Sequence, residues 1–323
     1  MASSASSAPS PSTQADSPKV IYVMGAGRSG STILGVTLGN CRDFFYAGEL
    51  DKWLPYAGTP KPGDAERASF WEQVRGDVPE GASLFGYSTR CLERSSSLFR
   101  ARKWRNRRRL REPYLRVAEQ LYRAVAHRSG ANHVVDTSHY PLRARELQRI
   151  GGIELYLVFL ARDPRSVVAS FGTSAVREPT FGVLKTNAYL WLTNLLSLYA
   201  FLRQRRERRV FLRYEDFIAD PEAVLRRLLE ALDSPSALPD LHALKTGVPI
   251  EGNRLIDATQ VSLQARVSNS SRRSPLTSLL QLPWSVLFSF LRPVLAAGSP
   301  LRSARLDRRD GHGGTRTGDD GNG

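Results

Sequence analysis

Apolar positions along this chain gather into blocks whose lengths separate strands from helices. Four blocks are short and dominated by apolar residues: Val20–Met24, His133–Asp136, Glu154–Leu160 and Val210–Tyr214. Such runs, rich in Val, Leu and aromatics, predict strands covered on both faces, the habit of parallel sheets. Phe44–Ala47 predicts a fifth, shorter strand ending at Gly48-Glu49. Between them, helical periodicity marks Thr32–Gly39, Leu142–Ile150, Asp163–Phe171, Thr186–Arg203 and Ala223–Leu232. The turns Asp163-Pro164 and Asp220-Pro221-Glu222 supply helix starts, with proline in the first turn and an acidic residue near the N-terminus. Residues 55–90 hold many Pro and Gly and predict irregular chain with short helices; residues 90–128 predict helix interrupted near Pro113. Strand–helix alternation without an internal repeat predicts an α/β fold, a central parallel sheet with helices on both faces.

The two ends read differently. Residues 1–18 (MASSASSAPSPSTQADSP) have neither the basic start nor the apolar centre of a secretory leader. Their composition predicts a disordered leader and, with no export signal, a cytoplasmic protein. The longest apolar tract, 275–300, is broken by Pro283, Arg292 and Pro293 and falls short of a membrane span. Residues 271–300 are therefore expected to form an apolar helical segment packed on the domain. A peripheral membrane contact through 275–300 is the alternative. Residues 301–323 turn to Arg, Asp and Gly and predict a disordered tail.

Charge narrows the ligand class. Lys and Arg number 46 against 31 Asp and Glu, a net charge of +15, while the 41% hydrophobic content is ordinary for a globular protein. A surface this basic favours anionic ligands without choosing among them. Seven basic residues crowd into 101–111, either a solvated helix face, a rim attracting an acidic acceptor or a membrane, or a nucleic-acid contact. Two cysteines, Cys41 and Cys91, make neither a disulfide framework nor a zinc site, and the five histidines show no metal-ligand spacing. No metal site is predicted.

Three segments carry candidate chemistry. In VMGAGRSGSTIL, residues 23–34, Gly25 and Gly30 have the spacing of a Walker A loop, but Ser31 stands where its lysine would be and Arg28 lies inside the loop. Loop N–H groups and the start of the next helix form an anion cradle, to which Ser29, Ser31 and Thr32 add hydroxyls and Arg28 a fixed cation. In LARDPRSVVASF, residues 160–171, Arg162 follows the C-terminal end of a buried strand, where open α/β sheets bind ligands; Ser170 comes eight residues later. RYEDF, residues 213–217, ends another strand. Taken singly, these read as a glycine turn, a capped helix and a βα unit.

Together and in this order they resemble the PAPS-dependent sulfotransferase family, in particular its bacterial-type and tyrosylprotein-sulfotransferase-like branch, over about residues 20–256. PAPS is 3′-phosphoadenosine-5′-phosphosulfate. The resemblance implies a single P-loop-NTPase-like domain, residues 19–270. It implies that Gly27, Arg28, Ser29, Gly30, Ser31 and Thr32 hold the 5′-phosphosulfate, that Arg162 and Ser170 hold the 3′-phosphate, and that Tyr214 lies near the adenine. GVPIEGNRLI, residues 247–256, resembles the segment that closes over the nucleotide, which brings in Gly252, Asn253 and Arg254. Glu49, after a glycine in FFYAGELDKW, matches the branch's catalytic base, with Asp51 its nearest competitor. The chain departs from the pattern at VVDTSHYPLR, residues 134–143: His139 stands where the family often has a lysine reaching the transferring sulfonate. Either His139 donates to the sulfonate, or Arg143 or another basic residue replaces that lysine.

The implied reaction moves a sulfonate from PAPS to a hydroxyl or amine acceptor without a metal. Glu49 is the base, Arg28 stabilises the leaving phosphate and PAP is the product. The acceptor, whether small molecule, carbohydrate or lipid, and the oligomeric state stay open; nucleic acid is not an expected partner. A P-loop nucleotide or small-molecule kinase is the alternative. It needs a loop lysine and a magnesium carboxylate, for which only Asp136 is at hand. A non-enzymatic basic binding protein explains the charge but not the three motifs.

Overall fold

The computed structural model describes residues 17–172, 183–263, 276–283 and 286. Residues 1–16 of the expected leader, the tail 301–323 and most of the 275–300 tract lie outside the described residues. Five strands, β1 (Lys19–Gly25), β2 (Phe44–Gly48), β3 (His133–His139), β4 (Glu154–Ala161) and β5 (Arg209–Arg213), form one parallel sheet in the order β2-β3-β1-β4-β5. The helices are α1 (Ser31–Gly39), α2 (Ala65–Asp77), α3 (Arg90–Glu93), α4 (Ala101–Ser129), α5 (Pro141–Leu147), α6 (Pro164–Gly172), α7 (Val183–Leu202), α8 (Tyr214–Ala219) and α9 (Pro221–Ala231). A two-stranded antiparallel pair, β6 (Leu244–Lys245) and β7 (Gln260–Val261), follows.

Side chains on a strand alternate between faces, and here both faces are covered, as the apolar runs predict. From β1, Val20, Tyr22 and Met24 enter one core with Leu157 and Phe159, roofed by Tyr114 and Tyr122 of α4 and Phe201 of α7. Ile21 and Val23 enter the other with Val158, Leu160 and Val210, roofed by Leu34 and Leu38 of α1 and Leu225 and Leu228 of α9.

Three expectations about local structure are corrected. Helix α4 runs through Pro113 without a break. The proline removes one ladder bond, but Leu110, Tyr114, Val117 and Leu121 are buried on either side and hold the helix against the core. Within the Pro- and Gly-rich region, α2 is a full helix: Asp64 caps it by accepting from the Arg67 N–H at 2.9 Å, and Trp71 and Val74 are buried. Helix α5 stops at Leu147, short of Ile150. Both cysteines are buried and unpaired, and burial pushes the Cys41 thiol up to about 11.

Beneath the sheet's C-terminal edge lies a buried ionic cluster. The Arg143 guanidinium donates to Glu93 at 2.7 Å and to Asp136 at 3.3 Å; Tyr114 donates to Glu93 at 2.7 Å and Tyr122 to Asp136 at 2.6 Å. Removing the cation leaves two carboxylates buried without it, which costs about 3 to 5 kcal/mol. Arg143→Ala is expected to lower the thermal midpoint by roughly 6 to 20 °C near neutral pH. Burial already raises the Glu93 pKa. Losing Arg143 raises it further, so protonation on acidification relieves the penalty, and the deficit against wild type should shrink as pH falls. Calorimetric scans at two pH values check both the size and the trend.

Residues 276–283 are helical and rest on α7: Gln281 is buried and donates to Asn187, and the Trp191 indole N–H donates to the Leu280 carbonyl at 3.3 Å. Among the described residues no helix is long and apolar enough to cross a membrane.

Candidate active site

All five parallel strands hand over, at their C-terminal ends, to a residue singled out from sequence. β1 runs into the glycine loop, β2 into Glu49, β4 into Arg162 and β5 into Tyr214, and β3 ends on His139 itself. This is the edge where open α/β sheets place ligands. A cavity of about 490 Å³ opens there, lined by Gly27, Arg28, Gly30, Ser31, Thr32, Glu49, Arg94, Ser95, Ser96, His139, Tyr140, Phe171, Thr186, Tyr189, Gly252 and Asn253.

The loop turns through left-handed residues: Arg28 has φ 68° and Gly30 φ 96°. Successive N–H groups in such turns form an anion nest, and the N-terminus of α1 adds its dipole. A β-carbon on Gly30 would lie 2.3 Å from the Tyr214 ring, so the residue is fixed by contact as well as by φ. Arg28 is not a glycine, and holding a side chain at positive φ stores strain. The neighbours hold it there: the Arg162 guanidinium donates to the Arg28 carbonyl at 2.9 Å and lies over the Tyr214 ring, 4.4 Å from its centroid. The three sequence motifs therefore touch one another. The Tyr189 hydroxyl adds a further contact, accepting from the Gly27 N–H at 2.9 Å.

Glu49 reaches the cavity by a close approach of two backbones. Its N–H donates to the Glu251 carbonyl at 2.9 Å, and the Ile250 N–H to the Ala47 carbonyl at 3.0 Å. Gly48, at φ 81°, allows this; a β-carbon there would meet the Glu251 oxygen at 2.3 Å. The same contact brings Gly252 and Asn253 to the cavity beside Glu49. Burial raises the Glu49 pKa, opposed by Lys52, whose ammonium lies 3.9 Å away. Asp51, the competing carboxylate, is buried away from the cavity, and burial raises its pKa well above the usual range.

His139 lines the cavity at φ 55°, beyond a bulge where β3 slips against β1. Burial, with the charges of Lys52 and Arg94, pulls its pKa down to about 3, so the imidazole is neutral near pH 7. It offers one N–H but no positive charge. Arg143 is spent on Glu93 and Asp136 and does not line the cavity, which removes it as a stand-in for a lysine. Asp136, fully buried and bound to Tyr122, Arg143 and Ser138, has no face for a magnesium ion, which weighs against the kinase alternative.

Other sequence-singled residues stand back from the cavity wall. Ser29 is buried, Arg162 and Tyr214 pack behind the loop, Ser170 is half-buried on α6 and Arg254 is exposed. Sequence reading missed Arg94, Ser95, Ser96, Tyr140, Phe171, Thr186 and Tyr189. Tyr140 and Phe171 adjoin His139 and Ser170; the others lie in no motif.

The profile described as the Sulfotransferase family matches residues 18–238. Among the curated proteins no relative matches this chain. Among solved structures, the chain is similar to the sulfotransferase domain of the Synechococcus PCC 7002 olefin synthase, at 17% identity and a TM-score of 0.52, over 86% of this chain and 97% of that one. It is also similar to the sulfotransferase domain from the curacin biosynthetic pathway, at 17% identity and a TM-score of 0.48, over 84% and 98%. A sulfotransferase of Alicyclobacillus acidocaldarius gives 15% identity and a TM-score of 0.40, over 86% and 94%. At this identity the first shows a shared fold.

Proposed function

The chain belongs to the sulfotransferase family, and on that premise we propose that it moves a sulfonate from PAPS to an acceptor hydroxyl, with Glu49 as base and Arg28 as the leaving-group cation. The observation that carries this reading is that a carboxylate raised in pKa and a glycine loop carrying an arginine line one cavity.

Sulfonate transfer asks for alignment and placed positive charge more than for covalent chemistry. PAPS supplies an activated sulfonate joined to a phosphate through an oxygen. Glu49 takes the proton from the acceptor hydroxyl as that oxygen bonds to sulfur. The bond from sulfur to the bridging oxygen breaks, and its electron pair stays on the 5′-phosphate. Arg28 and the amides of Arg28–Thr32 face the charge that grows there. Gly252 and Asn253, carried on the segment that adjoins β2, close the same end of the cavity. Arg162 and Ser170 bind the 3′-phosphate, and Tyr214 lies near the adenine.

The direct test is calorimetry with PAP, followed by transfer from radiolabelled PAPS into a cell extract with EDTA present. PAP binding and EDTA-resistant labelling are expected. A protein that binds no PAP, or whose labelling stops with EDTA, would sink the reading.

Arg162 serves two purposes in it, since its guanidinium also steadies the Arg28 carbonyl. Arg162→Ala is expected to weaken PAP binding by roughly 10- to 100-fold, the worth of hydrogen bonds to a charged group. Adenosine 5′-phosphate, which lacks the 3′-phosphate, should bind wild type and variant with a far smaller difference. Equal losses for both nucleotides would count against a 3′-phosphate contact.

A further inference from the structure

Placed charge is needed on the sulfonate itself as well as on the leaving phosphate, because negative charge spreads over its oxygens during transfer. The cations near the cavity can be sorted by what they already touch. Arg28 belongs to the loop. Arg143 is consumed by two buried carboxylates. Lys52 lies 3.9 Å from Glu49 and 3.8 Å from Asp51. His139 is neutral. Arg94 differs from all of these: it lines the cavity, and among the described residues no carboxylate pairs with it. Its buried Nε has no hydrogen-bond partner.

The guanidinium is also held in place. It lies over the Tyr140 ring, 5.1 Å from the centroid. The Tyr140 carbonyl in turn accepts from the buried Tyr22 hydroxyl at 2.9 Å, which ties this platform to β1. Stacking on an aromatic face suits arginine and leaves its N–H edge available for an anion. The same Tyr140 ring packs against the His139 imidazole, centroids 4.2 Å apart, so Arg94 and His139 stand on one wall of the cavity. Arg28, Gly30 and Ser31 of the glycine loop line the same cavity.

Resting on the sulfotransferase reading above, we infer that Arg94 is a catalytic residue that binds the transferring sulfonate, supplying from outside the sequence motifs the cation that His139 does not provide. Arg94 adds no covalent step. It donates N–H to sulfonate oxygens in bound PAPS and more strongly as charge builds on them during the S–O exchange that Glu49 and Arg28 drive.

PAPS and PAP differ by the sulfonate alone, which gives a test that needs no acceptor. Arg94→Gln is expected to weaken PAPS binding about tenfold or more, leave PAP binding unchanged, and lower kcat in the extract-labelling assay. Arg94→Lys, which keeps the charge, should recover most of the PAPS preference. If Arg94→Gln does not fold, Arg94→Met, which keeps the aliphatic stem, reads the same ratio. Equal loss for PAPS and PAP, or no loss for either, overturns the assignment, as does an effect confined to the KM of the acceptor. Failure of the wild-type protein to bind PAP would instead sink the broader reading, so the two failures are distinct.

Discussion

Arg28→Ala should abolish transfer, with kcat falling by roughly 10² to 10³, the cost of removing one donor from a developing oxyanion. The expectation rests on the place of Arg28 in a glycine loop that lines the cavity. Two effects need separating in this variant. Alanine at φ 68° keeps the backbone strain while losing the cation, whereas Arg28→Gly relieves the strain and loses the cation as well. Both variants should lose turnover to a similar extent. If glycine alone restored activity, the backbone shape of the loop would matter and the guanidinium would not. Single-turnover rates with labelled PAPS make the comparison without interference from product release. Turnover within a few-fold of wild type for Arg28→Ala would remove the leaving-group role.

Glu49→Gln carries the second large effect, a loss of roughly 10² to 10⁴ in kcat, the usual worth of a positioned base. PAP binding should survive, because Glu49 is assigned to the acceptor proton and not to the nucleotide. The pH profile gives a second readout. Glu49 acts only when deprotonated, and burial raises its pKa above that of a free carboxylate. Activity should therefore fall as pH drops through that raised value, giving an acid limb at higher pH than an exposed glutamate would show. Lys52 opposes the rise. Lys52→Met should move the limb further up in pH, while the Glu49→Gln residue of activity should show no such limb. Near wild-type turnover in Glu49→Gln, or an acid limb unmoved by Lys52→Met, would return the choice of base to the remaining groups of the cavity.

The sheet was readable from sequence because a parallel strand covered on both faces has no polar side to blur its apolar run. Val20–Met24 and Glu154–Leu160 announce themselves this way, and the core confirms them. Helix α4 was harder to read. Pro113 is a sound local reason to break a helix, but tertiary burial on both sides outweighs it. Helix α2 escaped because only Arg67, Trp71 and Val74 are buried along it, too few to show a period.

Legibility of the site follows a similar line. Residues at strand ends sit in short fixed motifs, so the loop, Glu49, Arg162 and Tyr214 could be named from spacing and resemblance. The ionisation of His139 could not, because it depends on burial contributed by segments far apart in sequence. Arg94 could not either. It is the extended residue between α3 and a 3-10 turn, Ser95–Ser97, whose place in the cavity is set by packing.

The origin of that turn has an evolutionary consequence. Apart from Ser170 on α6 and the sulfonate contact of Arg94, the groups assigned to the donor are anchored to strand ends or to the strip bonded along β2. Ser95 and Ser96 come instead from the long excursion between β2 and β3, next to Arg94. Insertions, deletions or recombination within this excursion can remodel one wall of the cavity without disturbing the strand ends. Descendants of such a chain that keep Arg94 can thus diversify in what they modify while inheriting the donor machinery.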